Sequence, residues 1–195
     1  MPSTKLIIIS GPSGCGKTTI AHKILEKYPE LMFSVSATTR SRRDSEINGK
    51  DYYFITKKEF EEKIHKNELI EWEQIYNDYY GSLRSEVEKA FSLEKSILFD
   101  VDVKGALSIK KKYPNHAVSI FIKPPSVDLL IERLKKRGTE TKETLTKRIE
   151  RVSMELQHIK DFDYCVTNDN LEDAVTKVDN IIAKFLLNSK LKEKV

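Results

Sequence analysis

The sequence predicts an α/β fold: a mostly parallel sheet with helices on both faces, interrupted by a small mixed insert. Three observations predict it. A short apolar run, a Gly-rich turn and a helical pattern follow one another over residues 5–10, 11–16 and 17–28. Further apolar, strand-like runs at 96–101, 117–122 and 163–166 are separated by helical patterns at 126–136, 142–160 and 171–187. Strands alternating with helices in this way pair in parallel through crossover connections. The stretch from 33 to about 80 breaks the rhythm, being rich in Ser, Thr, Arg, Tyr and Glu with short strand-like pieces at 33–36, 52–55 and 69–76.

Each element has its own signal. Residues 5–10 contain Leu6-Ile7-Ile8-Ile9, a run with no polar face, and so read as a fully buried strand. In the helix at 17–28, Ile20, Ile24 and Tyr28 recur every four residues, and Pro29 ends the pattern. Asn48-Gly49 is a turn signal inside the insert. Thr56 and Glu59 have the spacing of a capping box and open a helix to about residue 66. The run at 96–101 ends among the acids Asp100 and Asp102. Pro124-Pro125 stops the strand at 117–122, Ser126 caps the helix that follows, and Gly138 breaks it. The end of the chain, 190–195, reads as solvated and frayed.

Composition narrows the function. At 195 residues with 39% apolar content, the chain suits one domain with a real core. Its 34 basic against 30 acidic side chains leave a net charge of +4, too small an excess for duplex nucleic acid and suited to a local site for small anions. Cys15 and Cys165 form no CxxC pair and read as reduced thiols. His22, His65, His116 and His158 are scattered without zinc spacing. The N-terminal apolar run is too short for an export signal or a membrane span, so the expected compartment is the cytoplasm.

The strongest motif is Gly11-Pro12-Ser13-Gly14-Cys15-Gly16-Lys17-Thr18, which matches GxxxxGK[ST] between a strand and a helix. Successive backbone N–H groups in such a loop turn inward around phosphate oxygens, and the helix N-terminus adds its positive end. Lys17 reaches the β- and γ-phosphates, the Thr18 hydroxyl holds Mg²⁺, and Thr19 joins the ATP-binding set. This specifies a P-loop NTPase fold and a nucleoside triphosphate. A second anion site is suggested by Arg40, Arg42 and Arg43 after a short strand, with Tyr52, Tyr79 and Tyr80 as hydroxyl donors. Taken alone, that cluster reads more readily as a solvated basic loop.

Seven segments then resemble, in order and spacing, the guanylate kinase family: GPSGCGKT, SATTRSRR, NGKDYYF, LIEW, YYGS, DVDVKG and RGTETKETLTKR, spanning about residues 5–168. The resemblance implies transfer of the ATP γ-phosphate to GMP, and to dGMP, with Mg²⁺ as cofactor. It implies a core of 1–32, 83–125 and 149–195, a GMP-binding insert at 33–82 and a helical lid at 126–148. Ser36, Glu71, Asp100 and Asp102 would line the guanine pocket. Arg40, Arg43, Tyr52 and Tyr80 with Gly81-Ser82 would hold the GMP phosphate. Arg133, Arg137 and Arg148 would close over ATP, Arg137 and Arg148 being the stronger catalytic candidates beside Lys17 and Arg40. Asn168 would form part of the adenine pocket. Guanine chemistry supports Glu71 independently, because a carboxylate accepts from both N1–H and the 2-amino group, a donor pair adenine lacks. Asp100 has a further reading, as an acid that orients Mg²⁺ through water. Arg42 departs from the family pattern, standing where Pro is usual; an ordinary surface charge is its simplest role.

Other readings of the same fold are a peptide-binding scaffold without catalysis, a nucleic-acid-binding P-loop protein and a kinase for another acceptor. An intact Lys17-Thr18 and the lid arginines argue against the first, the weak net charge against the second, and Glu71 with Ser36 against the third. The expected partners are ATP and GMP or dGMP, with neither nucleic acid nor membrane; monomer or homo-oligomer is left open.

Overall fold

Strand β1, Leu6–Ser10, is the central strand of the main sheet and is buried along its whole length. Its alternate residues feed two cores. Ile7 and Ile9 pack with helices α1 (Lys17–Lys27) and α7 (Leu171–Lys192); Leu6 and Ile8 pack on the other face with α3 (Arg84–Ser92) and α4 (Val103–Lys112). A strand apolar at every position has no side to offer water, and helices on both faces are the solution. The computed structural model describes residues 4–136 and 142–192, with the backbone alone at 133–136, 142–145, 147 and 188–192.

The main sheet runs β2 (Met32–Phe33), β7 (Ile97–Asp100), β1, β8 (Ala117–Lys123), β9 (Tyr164–Thr167), every neighbour parallel. Since β1 has β7 on one side and β8 on the other, the crevice at its carboxyl end is the place where an open α/β sheet takes a ligand. Ile9 is in register with Asp100, which brings that carboxylate beside the start of the Gly-rich loop.

A second sheet forms the insert, in the order β4 (Tyr53–Phe54), β3 (Ser36–Thr38), β6 (Asp78–Leu83), β5 (Leu69–Ile75). Strand β6 is antiparallel to both β3 and β5. Helix α2 (Lys57–His65) covers one face with Phe60, which packs on Ala37 and Leu69. Its expected capping box is present: Thr56 Oγ1 accepts from the Glu59 N–H at 3.2 Å, and the Glu59 carboxylate accepts from the Thr56 N–H at 2.7 Å.

Several expectations are corrected. The single strand at 33–36 is two: Phe33 ends β2 in the main sheet, and Ser36 begins β3 in the insert. Strand β5 stops at Ile75 because Tyr76 is left-handed, with φ 58°. The helix expected over 142–160 is α6 (Lys142–Leu156) followed by a 3₁₀ turn, Gln157–Asp161. Helix α7 continues to Lys192, beyond its expected end at 187 and into the stretch expected to fray. Strand β6 and helices α3 and α4 are further elements, absent from the sequence pattern above. Helix α5 (Val127–Lys136) agrees with the expected helix. Among the described residues, no helix is long and apolar enough to cross a membrane.

Candidate active site

The Gly-rich loop joins β1 to α1. Gly16 caps α1 with φ 94°, and a Cβ there would lie 2.3 Å from Asn168 Nδ2, so both conformation and space require glycine. The same amide of Asn168 donates to the Cys15 carbonyl at 2.8 Å. Lys17 Nζ donates to the carbonyls of Gly11 at 2.8 Å and Pro12 at 3.2 Å, strapping the loop to its own helix. Burial opposes the ammonium charge, but Cys15, Asp100, Glu155 and Asp102 around it overcome that and hold its pKa above the ordinary value. Thr18 Oγ1 donates to Asp100 Oδ2 at 2.6 Å. Cys15 is fully buried, its thiol pushed up by that burial; it packs in the core and has no sign of reactivity.

Opposite the loop, the insert sheet presents one face. Register places Ser36 across from Ser82, and Ser82 across from Glu71; the next row is Thr38, Tyr80 and Glu73. Side chains on a strand alternate between faces, so these six share one side, while Ala37, Gly81 and Trp72 share the other with Phe60. Glu71 is 7% exposed and accepts from Ser82 Oγ at 2.6 Å. Burial raises its carboxyl to about 7 against the two bonds from Ser82 that lower it. Asp102 caps α4, accepting from the Gly105 N–H at 2.9 Å, and is raised to about 8 by burial and by its hydrogen bond to Glu73. Gly105 is there because a Cβ would stand 2.5 Å from Glu71 Oε2.

The arginines of the 40–43 segment converge on one acid, Glu46. Arg40 grips Glu46 with both forks, Nη1 to Oε2 at 3.0 Å and Nη2 to Oε1 at 2.8 Å, and lies over the rings of Tyr52 at 5.5 Å and Phe54 at 5.6 Å. The Arg43 N–H donates to Glu46 Oε2 at 2.8 Å. Arg42 Nη1 donates to the Glu46 carbonyl at 2.6 Å, so the residue standing in place of Pro ties the loop to itself. Tyr52 stands edge-on to Tyr80 at 6.2 Å, its hydroxyl pKa pushed up by burial.

These two walls enclose a cavity of about 420 Å³. Of the expected residues, Gly11, Ser13, Gly14, Gly16, Lys17, Thr18, Thr19, Ser36, Arg40, Arg43, Tyr52, Glu71, Tyr80, Gly81, Asp100, Asp102 and Arg148 line it. Pro12, Cys15, Ser82 and Asn168 stand behind it: Ser82 acts on Glu71, and the amide of Asn168, placed by the resemblance in the adenine pocket, braces the loop from beneath. Arg148 Nη1 reaches Ser13 Oγ at 3.3 Å. Arg137 and the side chain of Arg133 lie outside the described residues.

Sequence reasoning missed Glu46, Ser34, Arg151, Glu73 and Glu155. Ser34 is 2% exposed at the cavity wall, with no hydrogen bond to its hydroxyl among the described residues. Arg151 bridges Glu73 Oε2 at 2.9 Å and Glu155 Oε1 at 2.7 Å. Helical spacing was the available signal: Arg148, Arg151 and Glu155 follow at three and four residues, one side of one helix.

A family model described as guanylate kinase matches residues 3–185. A guanylate kinase of Porphyromonas gingivalis is 46% identical over 94% of this chain and 98% of its own length. One of Salinibacter ruber is 45% identical over 95% and 99%. The crystal structure of the guanylate kinase from Anaplasma phagocytophilum superposes with a TM-score of 0.78 at 31% identity, covering 93% of this chain and 85% of that one.

Proposed function

This chain belongs to the guanylate kinase family, and from that premise we propose that it transfers the γ-phosphate of ATP to GMP, and to dGMP, giving ADP and GDP or dGDP. One observation carries the reading. Glu71 is a buried carboxylate, fixed by Ser82 and in the same cross-strand row as Ser36 with Ser82 between them, at the end of a cavity whose opposite wall is the P-loop. Such an acceptor-only group suits a base that offers two adjacent donors.

The roles follow from the placement. The loop N–H groups and Lys17 take the β- and γ-phosphates of ATP. Arg40 and Arg43, with the Tyr52 and Tyr80 hydroxyls, take the phosphate of GMP. Holding two anions in line is most of the catalysis, because the nucleophile is an already ionised phosphate and needs no general base. Arg148, beside Ser13 on the loop, and Arg137 stabilise charge on the moving group. The core at 1–32, 83–125 and 149–195 is fixed in this reading, while the insert at 33–82 and the lid at 126–148 close to exclude water.

Mg²⁺ fits the residues present. No group of three or more acidic, His or Cys ligands occurs among the described residues, and Mg²⁺ bound to nucleotide needs only one or two protein oxygens. Thr18 and Asp100, joined by a 2.6 Å hydrogen bond, would hold it, the Thr18 hydroxyl as a direct ligand and the Asp100 carboxylate through water. When bound, Mg²⁺ would supply positive charge against the phosphates of ATP.

A coupled ADP-release assay across GMP, dGMP, IMP, AMP, CMP and UMP tests the proposal. GMP and dGMP should lead by roughly 10²-fold or more in kcat/KM, since a site built to pair donors rejects analogues that lack them. A chain that preferred AMP or a pyrimidine nucleotide would overturn it.

A further inference from the structure

Arg151 belongs to neither set of phosphate contacts just described, yet it is built into the cavity wall. It sits on α6 three residues beyond Arg148, on the same side of the helix. Its guanidinium is divided between Glu155 on its own helix and Glu73 on β5, and Lys104 Nζ adds a second cation at 3.2 Å from Glu73 Oε1. Glu73 and Glu155 are each 8% exposed, so this is a largely desolvated ion network. Glu73 lies two residues past Glu71 on the same face of β5, and its carboxyl is hydrogen-bonded to that of Asp102.

The bonded path is continuous. It runs from Asp102 at the base end, through its hydrogen bond to Glu73, to Arg151, then one turn back along α6 to Arg148, whose Nη1 touches Ser13 of the P-loop; Glu71 joins it as the neighbour of Glu73 on the same face of β5. We propose that Arg151 is a positioning residue that locks α6 to the insert strand β5, so that guanine at one end of the cavity favours the placement of Arg148 over the phosphates at the other. The consequence is positive coupling between GMP and ATP. The physical reason is the cost of separating the elements. Pulling α6 from β5 leaves the Glu73 carboxylate without its half-buried guanidinium partner in a desolvated site, and breaking one side of a buried pair is far more costly than the pair's net worth. The arrangement with Arg151 on Glu73 is therefore distinct from one without it, and any ligand that engages β5 or Arg148 in the first arrangement alone biases the same equilibrium.

The inference rests on the ATP and GMP reading of the cavity, and its test separates the two. Calorimetry would give the affinity of a non-hydrolysable ATP analogue with and without saturating GMP, in the wild-type chain, in Arg151→Met and in Glu73→Ala. In the wild type, GMP should tighten the analogue roughly 5-fold or more, the lower range of ordinary coupling. In both variants that ratio should fall to about 1, with each binary affinity changing less than the ratio does. Arg151→Met leaves two buried carboxylates facing each other and loses stability for that reason. Glu73→Ala leaves Arg151 paired with Glu155, so it keeps the fold and decides the question alone if the first variant melts. A ratio retained in Glu73→Ala, or absent in the wild type, overturns the proposal. So does an Arg151→Met that loses binary affinity for the analogue with the ratio intact, because Arg151 would then be a phosphate ligand. Failure of GMP to bind the wild type at all would instead overturn the reading of the site.

Discussion

The two ends of the cavity are made of different material. The P-loop end is mostly backbone: glycines with positive φ at 11, 14 and 16, and one lysine folded back onto two loop carbonyls. The insert end is made of side chains brought from β3, β5, β6 and the start of α4, and at its centre are carboxyls held out of water. A backbone site serves any triphosphate, because phosphate oxygens are alike in every nucleotide. A side-chain site discriminates among bases, at the cost of burying groups that would rather be solvated. Specificity and instability should therefore concentrate at the insert end, and rate at the loop end.

The largest test of that division is Lys17→Met. Loss of one charge-assisted contact in the transition state should cost about 3–5 kcal/mol, a fall of roughly 10²–10⁴ in kcat. The ranking of acceptors should not change, because Lys17 touches only the loop. A variant with an altered GMP-to-IMP preference would break the comparison, and near-normal turnover would refute the donor role of the loop.

Next in size is Glu71→Gln, which works on the other end. An amide replaces one acceptor oxygen with a donor facing the guanine donors, at about 1–3 kcal/mol for each group left unpaired. GMP should lose kcat/KM while the KM for ATP stays within about twofold, and IMP, which lacks the 2-amino group, should lose less than GMP. In the wild type the free Glu71 carboxyl titrates at about 7, and only its ionised form accepts both donors. The kcat/KM for GMP should therefore climb with pH through that region, and the variant should lack the step. An unchanged GMP-to-IMP ratio would leave the base unread by Glu71.

The same substitution should stabilise the protein. Glu71 has an ordinary pKa of 4.5 and a folded value of about 7, so the folded chain holds this proton more tightly than the unfolded chain does. Stability is thus undiminished below about pH 4 and falls as pH rises from there through about 7. At pH 8 the loss is up to about 3 kcal/mol. Glu71→Gln removes it, so thermal melts should show the variant above the wild type at pH 8, with the gap closing as pH falls to about 4. A variant less stable at pH 8 would show that the Ser82 bond outweighs the burial of charge.

How far each end was legible in the sequence follows from the same contrast. The P-loop is contiguous, so eight residues between a strand and a helix declare it. The insert site is assembled by register, and register depends on the irregularity between Leu69 and Glu71. A slip of one residue would turn Glu71 to the side of Phe60 and Trp72, and nothing in LIEW by itself settles that parity. Helix α4 went unread because Gly105 weakens its pattern, yet Gly105 is there to make room for the Glu71 carboxylate. The feature that hides the helix is a requirement of the site. Strand β6 was hidden in a similar way, since Gly81 leaves it with a weak strand pattern. Glu46 and Arg151 fall between: an acid beside three arginines and an arginine one turn from Arg148 carry a signal, but only their distances show which partners they choose.

The smallest effect should come from Asn168→Ala, and it sharpens the comparison most because it acts on backbone through a side chain. Asn168 lies behind the cavity, 5% exposed, and its amide satisfies the Cys15 carbonyl at 2.8 Å. It is also the neighbour against which Gly16 is packed. Truncation leaves a buried carbonyl without its donor and removes the surface that fixes the loop's last turn, for about 1–2 kcal/mol of stability. Loosened N–H groups hold phosphate less well, so the KM for ATP should rise about 3- to 10-fold, roughly 1 kcal/mol in binding. No strand of the insert is touched, and the KM for GMP measured at saturating ATP should stay within about twofold. Steady-state kinetics with each substrate varied in turn, alongside a thermal melt, would check both halves. If the KM for GMP rose in step with that for ATP, the loop would be shaping the acceptor end as well, and the division between a backbone end and a side-chain end would fail.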